Sequence, residues 1–190
     1  SGPSLIARMT EQAKKFGAER VSDTIKEVSL EGEVKVLKGE KGEYQAKNII
    51  IATGAHARPI GCKGEAEFLG RGVSYCAVCD GPFFKEKTAA VVGGGSAALQ
   101  DALYLAGICS KVYLIHRRDT FRAEKSLIDQ VMAAENIECV MESRVTALIG
   151  EKKLTELEVT NLSGEKKTLV ADGLFVAIGM EPHNEVFRDL

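Results

Sequence analysis

The second half of the chain alternates strand-like and helix-like segments, and this alternation constrains the fold more than any other feature. Short apolar runs suited to strands at 88–92, 111–115 and 137–141 are separated by amphipathic stretches at 96–106 and 122–135. Strands that alternate with helices in this way form parallel sheets with right-handed crossover connections. We therefore predict an α/β domain with a central parallel sheet.

The segment before this region predicts a helix and a small antiparallel meander. Ser4 can cap a helix that Gly17 ends, because glycine tolerates a left-handed backbone. Three short strands are predicted within 24–46, where glycines supply the turns. The β-branched run 48–52 predicts a further strand buried on both faces.

The segments on either side of the alternating region differ in character. Residues 58–87 are rich in glycine and proline and predict an irregular seam between two units. Residues 145–170 predict three antiparallel strands, in which Leu157 and Val159 face one way. Residues 173–178 predict a further strand that is fully buried.

A glycine-rich motif lies between the first strand and the first helix of the alternating region. Residues 93–98 read GGGSAA and match G-x-G-x-x-A. Gly93 permits a tight turn, Gly95 lets the backbone approach a pyrophosphate, and Ala98 allows close packing of helix on strand. The helix N-terminus at Ser96 offers N–H groups and a positive dipole end to phosphates. The motif predicts a dinucleotide site; a glycine-rich turn without a ligand is the alternative.

Arginines occupy the position that would decide which dinucleotide is bound. A dinucleotide fold places the residue that contacts the adenosine ribose at the end of the second strand, about 20 residues after the glycines. His116, Arg117 and Arg118 stand there, and Arg122 follows. Asp or Glu would favour NAD, whereas guanidinium groups bind the oxygens of a 2′-phosphate. The cluster favours NADP over a solvated basic turn, with His116 at the edge of the pocket.

Two cysteines separated by two residues form a second motif. Cys76 and Cys79 can close a small disulfide ring, and the adjacent Asp80 can protonate a departing thiolate. A zinc site would need a second such pair or a pair of histidines, and neither is present. We therefore predict no metal, and we interpret Cys109 and Cys139 as packing residues.

A dithiol close to a nucleotide site predicts a reductase. Nicotinamide donates a hydride, whereas a disulfide accepts electrons through thiolate chemistry, so a flavin is the expected mediator. A thioredoxin domain also carries C-x-x-C, but it has no nucleotide site of its own. The pair here immediately precedes the nucleotide-binding segment, which favours the reductase.

Charge and hydropathy exclude two classes of partner. The chain has 25 Lys and Arg against 27 Asp and Glu, without a sustained basic block, which argues against nucleic acid. The longest strongly apolar run, 173–180, is far shorter than the roughly 20 residues that span a bilayer. We expect no membrane partner and, because no secretory pattern begins the sequence, a cytoplasmic protein.

Taken together, these motifs resemble the low-molecular-weight, bacterial-type thioredoxin reductases. The resemblance rests on residues 76–81, 93–98, 116–125 and 175–179 and extends through the whole chain. In that family a FAD-binding domain is interrupted by an NADPH-binding domain that carries the redox cysteines. The resemblance implies an α/β fold, with a Rossmann-like NADPH-binding domain of central parallel sheet plus antiparallel meander inserted in a partial FAD-binding domain.

The resemblance also implies domain boundaries. Residues 1–58 would be part of the FAD-binding domain, 59–184 the NADPH-binding domain, and 185–190 the start of the return to the FAD domain. Hinges for rotation between the domains would lie near residues 58–59 and 180–182. The family's N-terminal FAD motif and last FAD segment have no counterpart in this sequence. We therefore expect an incomplete FAD site and no reductase activity from these 190 residues alone.

Roles for single residues follow from the same resemblance. Cys79 would face the flavin and receive electrons, Cys76 would attack the substrate disulfide, and Asp80 would manage the protons. The cofactor residues would be Arg117, Arg118 and Arg122 at the 2′-phosphate, Gly93, Gly95, Ser96 and Ala98 at the pyrophosphate, His116 at the pocket edge, and Thr53, Gly54 and Ala55 at the FAD.

The implied function is that of an NADPH-dependent, FAD-containing disulfide reductase. Its partner would be thioredoxin or a related dithiol protein, and it would act as a homodimer. Two alternatives stay open: the flavoprotein reductase of a peroxiredoxin system, and a non-catalytic NADP-binding module such as a sensor. The intact set Cys76, Cys79 and Asp80 disfavours the module, because a pure binder has no use for a thiol pair.

Overall fold

The computed structural model describes residues 2–187, and these form two compact units. The smaller unit contains the residues up to Gly54 together with the segment that begins at His183, and the larger unit is Ala55–Pro182. No helix within the described residues is both long and apolar enough to cross a membrane.

The smaller unit consists of a helix and the predicted antiparallel meander. Its three strands pair in chain order, and the 3-10 turn Glu185–Phe187 belongs to the same unit. Residues 188–190, in the segment predicted to return to the FAD domain, lie outside the described residues. The elements are α1 (Gly2–Lys15), β1 (Ile25–Ser29), β2 (Lys35–Gly39) and β3 (Glu43–Ala46).

Two details of the prediction for this unit were wrong. The helix begins at Gly2, two residues before the predicted cap Ser4. The run 48–52 forms no strand, and the side chain of Ile50 is 92% exposed. A β-branched run becomes a strand only where a neighbouring strand takes up its backbone hydrogen bonds. None of the strands among residues 2–187 pairs with this run.

A five-stranded parallel sheet is the centre of the larger unit, as the alternation predicted. Helices α4 (Ser96–Ala106) and α5 (Lys125–Ala133) form its crossover connections. The spatial order of the strands is β5 (Val73–Ser74), β12 (Gly173–Val176), β6 (Thr88–Val92), β7 (Lys111–Ile115) and β8 (Ile137–Val140).

The two faces of this sheet bury different layers. Leu99, Ala102 and Leu105 share one face of α4 and pack in one core cluster with Val91 and Val112 of the sheet. The opposite face packs on an antiparallel sheet. That sheet is formed, in spatial order, by β11 (Lys166–Val170), β10 (Leu154–Asn161) and β9 (Ser143–Gly150).

In the antiparallel layer, buried side chains alternate with more exposed ones along the strand, as predicted. Leu157 and Val159 of β10 are buried in a second core cluster with Leu174 and Ala90 of the parallel sheet. The larger unit is therefore a three-layer structure of helices, parallel sheet and antiparallel sheet. The predicted α/β class with a Rossmann-like sheet is confirmed.

The interpretation of residues 58–87 as a seam was wrong. This stretch lies inside the larger unit and supplies β5, which pairs with β12 at the sheet edge. The unit begins and ends with two short strands that pair with each other. The remaining elements are β4 (Ala55–Ala57), α2 (Glu65–Phe68), α3 (Ala77–Asp80), a 3-10 turn (Gly81–Phe84) and β13 (Met180–Pro182).

Candidate functional site

A cavity of about 570 Å³ opens at the carboxyl end of the parallel sheet. Its walls come from the segments that follow β6, β7 and β12, namely 93–97, 116–118 and 177–179, and from the start of β9 at 143–145. Ligands of open α/β sheets bind in the crevice outside the carboxyl ends of the strands. The cavity lies where that rule places a nucleotide.

The first two glycines of the turn have no room for side chains. A Cβ atom on Gly93, whose φ is +154°, would collide with the carbonyl oxygen of Ala177 and lie 2.6 Å from the Cβ of Ala98. A Cβ on Gly94 would overlap the ring of His116. The bare backbone can therefore approach a ligand closely. Ala98 is buried beneath the turn, where its small side chain permits the packing of α4.

The turn leads directly into α4 and is bound to the segment before α5. Gly95 precedes Ser96, the first residue of the helix, and both line the cavity. The backbone N–H of Arg122 donates a hydrogen bond to the carbonyl oxygen of Gly94 at 2.6 Å. Arg122 is thereby held at the cavity, and α5 begins at Lys125 rather than at the predicted 122.

His116 supports the cavity wall from within. The side chain is 9% exposed, its Nε2 lies 3.1 Å from the carbonyl oxygen of Thr120, and its ring stacks on Phe121. Burial lowers the pKa of His116, and the nearby arginines lower it further. A neutral ring lying against Gly94 holds the glycine turn in place.

Five arginines line the cavity. Arg117, Arg118 and Arg122 were predicted, whereas Arg58 and Arg144 were not. Of these, Arg58 donates a hydrogen bond from Nε to Glu181 at 2.9 Å. No carboxylate lines the cavity within the part of the chain that the structure describes. The cavity is therefore suited to an anionic ligand with several phosphates.

Long-range backbone contacts bring Arg144 to this place. The N–H of Ser143 donates to the carbonyl oxygen of His116 at 3.0 Å, and that of Glu142 donates to Arg118 at 3.1 Å. These bonds join the start of β9 to the end of β7. No local pattern in the sequence could have indicated that Arg144 lies beside the arginines after β7.

Cys76 and Cys79 form a disulfide at the start of α3. Cys76 is the N-terminal cap of this short helix and is half-buried, whereas Cys79 is exposed. The backbone N–H of Cys79 donates to the sulfur of Cys76 at 3.2 Å. The structure thus contains the small disulfide ring that the spacing allowed.

Asp80 is linked to the disulfide through Ser74. The hydroxyl of Ser74 donates to Oδ2 of Asp80 at 2.6 Å and accepts a hydrogen bond from the N–H of Cys76 at 3.0 Å. The N–H of Asp80 itself donates to the carbonyl oxygen of Cys76 at 3.1 Å. The sequence analysis did not single out Ser74, because one serine beside a cysteine motif is not distinctive.

The residues expected at the FAD lie on the surface. Thr53 and Gly54 are exposed in the smaller unit, and Ala55 is the exposed first residue of the larger one. Gly54 has a φ of +77°, and its carbonyl oxygen accepts a hydrogen bond from the N–H of His183 at 2.9 Å.

The remaining cysteines are free thiols within the described chain. Cys109 is buried and donates to the carbonyl oxygen of Phe84, and Cys139 packs beside the same core cluster, so both are packing residues as predicted. Burial, with a contribution from Glu65, raises the pKa of Cys62 to about 11. Among residues 2–187, no group of three His, Cys, Asp or Glu side chains could hold a metal ion.

Comparison with known proteins identifies the family of the chain. The chain matches the model of the pyridine nucleotide-disulphide oxidoreductase family over residues 4–190. It is 45% identical to a thioredoxin reductase of Peptoclostridium acidaminophilum, over 99% of this chain and 62% of the relative. A protein of Pseudomonas fluorescens named glucosaminate ammonia-lyase is 43% identical, over 99% of this chain and 60% of its own length.

A solved structure extends the agreement to the fold. The thioredoxin reductase of Lactococcus lactis superposes with a TM-score of 0.79 at 36% identity, covering all of this chain and 63% of that one. The chain thus spans about 60% of the length of these two curated relatives. It belongs to the pyridine nucleotide-disulphide oxidoreductase family, and thioredoxin reductases, which the resemblance named, are among its similar relatives.

Proposed function

We propose that the protein is an NADPH-dependent flavoprotein disulfide reductase whose substrate is oxidised thioredoxin. One observation carries the proposal: a single compact unit holds both an arginine-lined cavity at a glycine turn and a disulfide beside a carboxyl group. A nucleotide-binding module alone would need only the cavity. An ammonia-lyase would need neither NADPH nor a redox disulfide.

The cavity fits NADPH by its chemistry. The bare backbone at Gly93 and Gly95 and the N-terminus of α4 at Ser96 suit the pyrophosphate, because unshielded N–H groups and the helix dipole favour negative charge. Arg117 and Arg118 suit the 2′-phosphate, which guanidinium groups bind through paired, charge-assisted hydrogen bonds. Arg122 is held at the same turn and completes this group.

FAD would supply a ring that accepts a hydride and returns electrons to a disulfide. Thr53, Gly54 and Ala55 are exposed and are proposed to contact it. We assign residues 1–58 and 185–190 to the FAD-binding domain and 59–184 to the NADPH-binding domain. These boundaries lie within four residues of the two divisions between the compact units.

Each thiol is proposed to have its own role. Cys76 caps α3 and receives a hydrogen bond from the N–H of Cys79, which stabilises a thiolate on Cys76 and suits it to attack a substrate disulfide. Cys79 is exposed and is proposed to accept electrons from the flavin. Asp80, fixed next to the pair, is proposed to exchange the protons.

The test uses the full-length protein with NADPH and oxidised thioredoxin. We expect Cys76→Ser to reduce turnover by roughly 10³-fold or more, because loss of a nucleophile removes its step, while NADPH still binds. Cys139→Ser is the matched control and should retain turnover, because that half-buried thiol serves only for packing.

Other results would point elsewhere. A wild-type protein that binds NADPH without reducing any disulfide would be a binding module. If turnover occurs only with the disulfide protein of a peroxiredoxin system, that protein is the partner instead of thioredoxin. Release of ammonia from glucosaminate without consumption of NADPH would contradict the proposal as a whole.

The compartment and the assembly are part of the same proposal. Cys62, Cys109 and Cys139 are free thiols, as suits a protein of the reducing cytoplasm. A homodimer is proposed from the family resemblance alone, and light scattering on the full-length protein would test it.

A further inference from the structure

We propose that Ser74 is a positioning residue for the reductase, because its hydroxyl holds the carboxyl group of Asp80 at the dithiol. This inference rests on the proposed function. It adds a residue that lies outside the C-x-x-C-D motif and comes from a different element, the edge strand β5.

The hydroxyl of Ser74 is the connection between the acid and the disulfide. Its one proton has two acceptors within reach, Oδ2 of Asp80 at 2.6 Å and the carbonyl oxygen of Cys76 at 3.3 Å, and the shorter contact is to the carboxyl group. Its oxygen also accepts the N–H of Cys76 at 3.0 Å. The hydroxyl oxygen of Ser74 therefore fixes both the backbone of Cys76 and the carboxyl group of Asp80.

Ser74 is well placed for this task because its own position is fixed. The residue is 5% exposed, and it pairs with Phe175 in the parallel sheet. In the part of the chain that the structure describes, no other side chain is hydrogen-bonded to the Asp80 carboxyl group. Without the hydroxyl of Ser74, that carboxyl group could rotate away from its place beside the backbone of Cys76.

The chemistry explains why such a rotation would matter. Reduction of the disulfide adds two electrons, which NADPH supplies through the flavin, breaks the S–S bond and leaves two sulfurs that take up two protons as thiols. In the transfer to thioredoxin, the S–S bond of thioredoxin is broken and thioredoxin receives the two electrons and two protons. The Cys76–Cys79 bond forms again. An acid that exchanges protons must lie within hydrogen-bond reach of the sulfur it serves.

A double-mutant cycle in the full-length holoprotein tests the inference. We expect Ser74→Ala to lower kcat about tenfold, less than the roughly 10²-fold or greater loss from Asp80→Asn. The KM for NADPH should be unchanged. Ser74→Ala combined with Asp80→Asn should be no slower than Asp80→Asn alone, because Ser74 acts through the acid. Ser110→Ala, which removes an exposed hydroxyl elsewhere in the larger unit, is the matched control.

Two further measurements separate positioning from folding. Amide hydrogen exchange at Cys76 should accelerate in Ser74→Ala, because the acceptor of that N–H is lost. Ser74→Thr, which keeps a hydroxyl, should restore slow exchange and most of kcat.

Three outcomes would overturn the inference. These are undiminished kcat in Ser74→Ala, losses that multiply in the double variant, or a folded Ser74→Thr as slow as Ser74→Ala. A wild-type protein without reductase activity would contradict the proposed function instead, and hydrogen exchange would still report whether Ser74 organises the motif.

Discussion

At the scale of single residues, the candidate site is defined by the charge of the side chains that follow β7. Asp or Glu at this position would repel a 2′-phosphate, whereas the structure has Arg117 and Arg118 lining the cavity. The sequence could predict this, because the position is fixed by its distance from the glycine turn. Arg144 could not be predicted, because it reaches the cavity through the backbone hydrogen bonds of Glu142 and Ser143 to the segment after β7.

The arginines lead to a prediction about cofactor preference. Replacing Arg117 and Arg118 together by Ala should reduce the preference for NADPH over NADH by roughly 10²-fold, because hydrogen bonds to charged groups contribute about 1.5 to 3 kcal/mol each. The values of kcat/KM for the two nucleotides, measured on the full-length protein, check this. Arg71→Ala, at an exposed arginine away from the cavity, should leave the preference unchanged.

An unchanged preference in the double variant would contradict this role. The 2′-phosphate would then have to lie near Arg58, Arg122 or Arg144, the other three arginines of the cavity.

At the scale of elements, the sequence predicts best where the pattern depends on local contacts. The bounds of β6, α4 and β7 agree with the prediction residue for residue, because a buried strand, a glycine turn and an amphipathic helix each have a distinct period. The start of α5 does not agree with the prediction, because the hydrogen bond from Arg122 to Gly94 overrides helix propensity.

Elements whose partners are distant in sequence were predicted less well. The edge strand β5 has only two residues and exists because Val73 pairs with Leu174, about a hundred positions later. The run 48–52 has strong strand propensity but no strand partner among the described residues. Strand propensity is a preference for a half-buried, paired surface, so the sequence alone overestimates it.

The helix that begins at the glycine turn should be stabilised mainly by its buried face. Leu99 of α4 is fully buried between the sheet and its neighbours. Leu99→Ala should reduce the free energy of unfolding by about 2 to 5 kcal/mol, because it removes apolar contacts and leaves a cavity. Met132→Ala on α5, where the side chain is 67% exposed, should change it by less than about 0.5 kcal/mol.

Urea unfolding of both variants provides the measurement. The midpoints should separate while the slopes stay equal. Equal midpoints would show that the face of α4 contributes little to the stability of the unit.

At the scale of the whole molecule, the larger unit contains nearly everything that the proposed chemistry takes from this chain. The parallel sheet, the arginine-lined cavity and the disulfide all belong to Ala55–Pro182. The ends of this segment lie side by side, because Ala55 pairs with Pro182 where β4 meets β13. Domains whose ends are adjacent and whose core is their own can fold as independent units.

We therefore expect the isolated segment 55–182 to fold and to retain nucleotide binding. It should unfold in one cooperative transition, because both core clusters lie within it. It should bind adenosine 2′,5′-bisphosphate with a Kd within about threefold of that of the full-length protein, since the cavity is lined entirely from this segment. Calorimetry on the segment and on its Arg117→Ala, Arg118→Ala variant checks both points. A folded segment that binds the bisphosphate no better than this variant would show that the site needs residues outside 55–182.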